Sequence, residues 1–248
     1  MYSFLRERRW VIATIVVALI AVLFVNLGFW QIRRLHWRKG NNVVILAQEK
    51  LPPVSVDTLA GRPLDAIQYR RVTATGTYDA GREAILFGRP DAAGLQGNHL
   101  LTPFTTTEGN SLIVDRGWVP LSSARSPVEQ AAPPAGTATV TGVLLPPESE
   151  AAAEPPSEGQ VKDINIGQLQ ASTGQELMPA YLLLQGQDPA QTGDFPKTTE
   201  LPALTEGPHL SYAIQWFLFT IIGLVGYSGL VRKEAKERVA AAQPKAGS

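Results

Sequence analysis

WVIATIVVALIAVLFVNLGFW, residues 10–30, carries no charged side chain over 21 residues, and Thr14 and Asn26 are its most polar members. At about 1.5 Å rise per residue, such a run crosses a hydrocarbon core about 30 Å thick. LSYAIQWFLFTIIGLVGYSGL, residues 210–230, repeats both the length and the absence of charge. Lipid offers no partner to a backbone N–H or C=O, so both runs are expected to be helices. Arg6, Arg8 and Arg9 look like the basic head of a secretory signal, but bulky Asn26, Leu27, Phe29 and Trp30 stand where small cleavage-site residues belong, which favours an uncleaved anchor.

Basic residues flank the first run on both sides, with Arg33, Arg34, Arg38 and Lys39 after it, so that run does not orient itself. The second run does: Arg232, Lys233, Lys236 and Arg238 follow it, and Lys197 alone stands close before it. The expected layout is a cytoplasmic tail at residues 1–9, a transmembrane helix at 10–30, an extracytoplasmic domain at 31–208, a second transmembrane helix at 209–230 and a cytoplasmic tail at 231–248. No room for a mitochondrial targeting segment precedes the first helix, so the expected location is a bacterial plasma membrane, multi-pass, with both termini cytoplasmic.

Between the helices, residues 31–50 suit a helix interrupted at Gly40-Asn41-Asn42 and stopped by Pro52-Pro53. Short β-branched runs follow at 69–78, 83–87, 99–107, 111–119, 136–145 and 180–185, with a turn at Glu108-Gly109-Asn110. The fold class is therefore a membrane protein: two transmembrane helices flanking an extracytoplasmic β-rich (α+β) domain with an antiparallel sheet or open barrel. Residues 122–136 and 146–160 are rich in Pro, Ala and Glu and are expected to be unpacked loops, and residues 234–248 a polar tail.

Composition excludes more chemistry than it suggests. Lys plus Arg equals Asp plus Glu at 22 each, so no basic excess points to nucleic acid. There is no cysteine, and the two methionines are Met1 and Met178, which removes thiolate zinc, CxxC redox, iron–sulfur and copper-carrier chemistry. No GxSxG, GxxxxGK[ST], GxGxxG or HExxH occurs, and His36, His99 and His209 are too dispersed to imply a shared centre. An enzyme is not expected, and Asp115 and Arg116 read as a paired turn at a strand end.

The helix ends facing the domain hold the residues that stand out. Asn26, Trp30 and Arg33 share one helical face, with Arg34 beside them; His209, Tyr212 and Trp216 share another, with Gln215 beside them. In an antiparallel pair the two groups meet at one depth. Aromatic residues and snorkelling arginines are normal at a membrane surface, whereas Asn26, Gln215 and His209 are costly there unless paired. Gly223, Gly226 and Gly229 suggest close helix packing at the other end.

LGFWQIRRLHWRK at 27–39, YRRVTATGTYD at 69–79, RGWVP at 116–120 and HLSYAIQWF at 209–217, in that order, resemble the surfeit locus protein one family of cytochrome c oxidase assembly factors. VKDINIGQLQASTGQ and the Pro-rich insert before it depart from that pattern. The resemblance implies a non-enzymatic role in haem-copper oxidase biogenesis, assisting haem a placement in subunit I, or else a stably bound accessory subunit of the oxidase or a respiratory supercomplex. It implies no tightly bound cofactor, with haem a as a transient passenger, and oxidase subunits and lipid as partners. It singles out Trp30, Gln31 and Arg33; Arg70 and Gly76; Arg116, Gly117 and Trp118; and His209, Tyr212, Gln215 and Trp216. Of these, His209 could supply an axial nitrogen, and Arg33 and Arg34 could pair with carboxylates.

Overall fold

The computed structural model describes residues 2–123, 125–150, 159–201 and 204–242. They divide into two compact units, Met1–Val44 with Leu204–Ser248, and Ile45–Ala203.

Helix α1 (Arg8–Glu49) runs unbroken through Gly40-Asn41-Asn42, against the expected interruption. Gly in a helix costs about 1 kcal/mol and Asn less, and the good helix formers Arg38 and Lys39 before them and Leu46, Ala47, Gln48 and Glu49 after them carry the helix across. The chain leaves the helix just before Pro52-Pro53, as expected. The Ile45–Ala203 unit then contains β1 (Val54–Ser55), α2 (Leu64–Ile67), β2 (Arg71–Tyr78), β3 (Ala84–Pro90), β4 (Gln96–Thr106), β5 (Ser111–Pro120), β6 (Thr137–Leu145), β7 (Gln160–Val161), α3 (Ile166–Thr173) and β8 (Tyr181–Asp188). Helix α4 (His209–Ala242) completes the first unit. Both α1 and α4 contain a window long and apolar enough to cross a membrane, and almost none of either window is buried within the protein.

The six expected strand runs are all present, but the sheet is neither open nor purely antiparallel. Its order is β1-β2-β6-β8-β5-β4-β3-β7, and a further β2–β4 pairing closes β2-β6-β8-β5-β4 into a five-stranded barrel. Strands β5 and β8 pair in parallel, as do β1 with β2 and β3 with β7. Closure turns on Gly76, which pairs with Thr106: a Cβ there would lie 2.0 Å from the Thr105 carbonyl oxygen, so only glycine lets β2 approach β4.

Side chains alternate across the strands. Val72, Ala74, Phe104, Leu112, Val114, Val140, Leu144, Leu182 and Leu184 come from all five barrel strands and fill the interior. Leu101, Ile113, Val143, Leu145, Tyr181 and Leu183 point the other way and are covered by Val161, Ile164 and Leu169 of α3 and its approach. That helix lies inside the segment that departs from the family pattern. It is started by Asn165, whose Oδ1 accepts from Gln168 N–H at 2.9 Å, and stopped by Gly174 in the left-handed region.

The segment 122–136 is also more ordered than expected. Val128 and Ala131 are buried with Ile85, Leu100 and Val119. The segment packs without large side chains because its backbone supplies hydrogen bonds to a buried ion pair described below. In the other expected loop, residues 151–158 lie outside the described residues. The expected polar tail continues α4 as far as Ala242, where Arg238 pairs with Glu234 one turn back and with Glu7; residues 243–248 lie outside the described residues.

Candidate functional site

The two long helices meet along a seam at Trp10, Thr14, Val17, Ala21, Phe24, Gly28 and Gln31, spaced alternately by four and three. This is the heptad spacing of coiled-coil packing. Their partners on α4 run in the opposite direction. The Tyr227 ring lies 6.3 Å from that of Trp10, and its hydroxyl bonds Thr14. Trp216 and Phe219 pack on Phe24 at 5.1 and 6.3 Å, and the Phe217 ring occupies the place a Cβ at position 28 would need, 2.7 Å away. Gly28 is thus a packing glycine. Gly223, Gly226 and Gly229 are not: a Cβ on any of them would meet nothing within 4 Å, so the expected close approach at those residues does not occur among the described residues.

At the far end of the seam, Gln31, nine per cent exposed, meets His209, the first residue of α4. Its Oε1 lies 2.8 Å from His209 Nδ1. With the amide oxygen as acceptor, the neutral form of the ring donates from Nδ1 and keeps its lone pair on Nε2. Beside the ring, Gly207 has φ of 69°, and a Cβ there would stand 3.3 Å from both Nε2 and Cδ2. Among the described residues no hydrogen bond engages Nε2.

Of the residues expected at this end, the structure brings together Gln31, His209 and Trp216 on the seam. Trp30 and Tyr212 are about half exposed and off it, as are the exposed Arg33, Arg34 and Gln215. The expected facing of Asn26, Trp30 and Arg33 toward α4 therefore does not occur: the seam falls one to two positions away, at Gly28 and Gln31. Asn26 Nδ2 donates to the Val22 carbonyl of its own helix at 2.7 Å, which removes its need for a partner across the pair. Arg34 stacks over Trp37 at 4.2 Å, leaving its guanidinium edge to solvent.

The remaining motif residues build the barrel. Arg116 is wholly buried inside it. Its Nη1 donates to Glu83 Oε2 at 3.1 Å, and its Nη2 donates to the Ala131 carbonyl at 2.6 Å and to Gln191 Oε1 at 2.9 Å. Glu83 also accepts from Thr102 Oγ1 at 3.0 Å and Val128 N–H at 3.1 Å. Burial nonetheless pushes the Glu83 carboxyl above its ordinary value, its hydrogen bonds and the Arg116 charge opposing. Burial also raises the Tyr78 phenol, whose hydroxyl donates to Gln187 and whose ring lies under the Arg116 guanidinium.

Asp115 and Arg116 do not pair with each other as expected, because adjacent strand residues face opposite sides. Asp115 instead holds His99, Oδ2 to Nδ1 at 2.8 Å, and accepts Gly117 N–H on Oδ1 at 3.0 Å. Gly117, at φ of 116°, is required because a Cβ would lie 2.1 Å from the Lys197 carbonyl, which accepts Trp118 N–H. Trp118 Nε1 donates to the Arg89 carbonyl. Arg70 reaches the Pro52 carbonyl at 3.4 Å. A cavity of about 140 Å³ beside His99 is lined also by Arg89, Glu148, Tyr181 and Thr199. Reading the sequence missed both Glu83 and the His99–Asp115 pair; neither sits in a motif with its partner. Among the described residues no group of three or more His, Cys, Asp or Glu side chains is placed to hold a metal ion.

A five-stranded barrel whose sequence lies between those of two long apolar helices, which pair through a heptad seam ending in a part-buried Gln–His contact, defines the structural class. The SURF1 family profile matches residues 18–221, a span that takes in all four motifs. The chain belongs to the SURF1 family. It is similar to a SURF1-like protein of Mycobacterium tuberculosis, 33% identical over 256 residues, which span 99% of this chain and 91% of the relative. It is also similar to SURF1-like proteins of Rickettsia felis, 25% identical over 86% of this chain and 94% of the relative, and of Caenorhabditis elegans, 26% identical over 91% and 76%.

Proposed function

We propose that this protein is a non-enzymatic assembly factor for a haem-copper cytochrome oxidase, that it assists haem a placement in subunit I, and that the His209 end of the helix pair is its working surface. The family is associated with cytochrome oxidase assembly. The observation that carries the reading is the Gln31–His209 contact, which joins the first family motif to the last across 178 residues of sequence and leaves an imidazole nitrogen free of protein partners among the described residues. In this reading α1 and α4 span a bacterial plasma membrane, both termini are cytoplasmic, and the barrel is extracytoplasmic.

The residues present suit a haem passenger. His209 offers one neutral nitrogen donor. Exposed Arg33 and Arg34, two and three residues past Gln31, offer guanidinium forks for carboxylates such as propionates. Exposed Tyr212 and half-buried Trp216 supply apolar surface for a macrocycle or its tail. The bound haem would bring only the iron coordination that holds it; the chain's part is to bind, orient and release. A single imidazole suits a passenger that must leave.

The test is to purify the full chain from cells with haem a synthesis intact and record its visible spectrum. A His209-dependent haem a spectrum is expected; a haem-free protein from wild-type cells, with oxidase haem unchanged by gene deletion, would refute it. A second reading, a permanent accessory subunit, is favoured by Gly223, Gly226 and Gly229, whose open faces could admit a helix of another chain. It requires this chain at near-equal amounts in mature oxidase prepared in mild detergent, and its absence there would dismiss that reading.

A further inference from the structure

We propose that Gln31 is a positioning residue that locks His209 in the Nδ1–H tautomer and so presents Nε2 as the coordinating atom, while Gly207 keeps the space beside that nitrogen clear. This rests on the reading of the His209 end as a haem-binding surface, and it assigns roles to two residues besides the ligating histidine.

A neutral imidazole side chain in water favours its other tautomer, Nε2–H, which offers no lone pair at Nε2. The ring nitrogen that carries the proton is set by the hydrogen bond its partner nitrogen makes. Here the acceptor is the Gln31 carbonyl oxygen at 2.8 Å. That amide is buried in the seam, so its geometry is held by helix packing rather than by chance rotamer choice. Ligating histidines almost always donate their other N–H in this way, and removing the acceptor typically weakens metal affinity about 10–100-fold.

The choice of an amide rather than a carboxylate also has a consequence. A carboxylate would make the imidazole a stronger donor and the complex slower to release, whereas a neutral acceptor sets the tautomer with less electron push. This matches a passenger that is handed on. Gly207 supplies the second observation: at φ of 69°, a Cβ there would stand 3.3 Å from both Nε2 and Cδ2, in close contact with the free nitrogen. No other side chain could leave that side of the ring equally open.

The test uses the full chain in detergent micelles with ring-¹⁵N-labelled histidine and no haem. His209 is expected to show a protonated Nδ1 and a bare Nε2. Gln31→Leu should return it to the Nε2–H form, and Gln31→Glu should keep the wild-type tautomer. In ferric haem titrations, Gln31→Leu should weaken binding about 10–100-fold, and Gln31→Glu should bind at least as tightly and release more slowly. Gly207→Asn, which tolerates positive φ but adds a Cβ, should weaken haem binding while leaving the tautomer unchanged. His36→Ala, on an exposed position of α1, should change neither. A wild-type Nε2–H tautomer, or a Gln31→Leu protein with unchanged tautomer and affinity, would overturn the proposal. If His209→Ala binds haem as wild type does, the haem reading alone falls, and the ring nitrogens still decide the positioning claim.

Discussion

Replacing Arg116 by Leu should destabilise the barrel by about 3–5 kcal/mol, the usual cost of removing one member of a buried ion pair. The side chain has zero exposure, so no water can replace it. Its loss leaves the Ala131 carbonyl and the Gln191 amide oxygen without their donor. It also leaves Glu83 with only Thr102 and the Val128 amide, in a site where burial already opposes its charge. At about 2–4 °C per kcal/mol for a unit of this size, the expected fall in melting temperature is about 6–20 °C. The assay is urea and thermal unfolding of the full chain in micelles, followed by circular dichroism at the β-sheet band. Glu83→Leu should cost a similar amount, and Arg116→Leu with Glu83→Leu should cost clearly less than the two singles summed, since a buried pair exchanged for apolar side chains is often neutral or better. Single changes below about 1 kcal/mol, or a double change equal to the sum of the singles, would refute the buried-pair account.

Three further outcomes follow from the same geometry. Gly76→Val should open the β2–β4 seam, with a loss of about 3 kcal/mol or more and fast amide exchange in both strands, whereas Gly186→Ala, whose Cβ would meet nothing within 4 Å, should be near neutral. Glu83 should give a reversed pH dependence: its folded carboxyl binds a proton more tightly than the unfolded one, so from about pH 4.5 up to the folded value its contribution to stability falls as pH rises. Comparing urea midpoints of wild type and Glu83→Gln across that range checks this, and a wild-type stability that rises more steeply than the variant's would contradict it. Gly28→Leu should push Phe217 off the seam and part the helices there, read as a lower melting temperature of the helical circular-dichroism band, whereas Gly223→Ala, whose Cβ would meet nothing within 4 Å, should leave it unchanged.

How much of this was legible in the sequence depends on how local each cause is. The two apolar runs and the six strand runs carry their periodicity and turn residues within themselves, and the structure holds them where expected. Barrel closure does not, because the reason Gly76 must be glycine is a carbonyl on β4. The partners of Arg116 were likewise hidden: Glu83 lies 33 residues upstream, and the segment around Ala131 looked too poor to pack. On α1 the apolar side chains run all the way round, so the seam could not be read from hydrophobicity alone. The face was placed on the conspicuous Trp30 and Arg33 when small Gly28 and polar Gln31 mark it. Gly40-Asn41-Asn42 misled in the other direction, since a few tenths of a kcal/mol per Asn cannot end a helix held on both sides. Helix α3 has caps within its own sequence, Asn165 and Gly174, yet no helix was expected there.

The proposal on which the rest depends is that the His209 end of the helix pair serves oxidase haem a insertion. Its most direct test is the haem a content per subunit I of oxidase purified from a deletion strain complemented with wild type or with His209→Ala at matched membrane abundance. The account predicts full haem a with wild type and a deficit with His209→Ala that approaches the uncomplemented strain. Equal haem a content with the two proteins would contradict it.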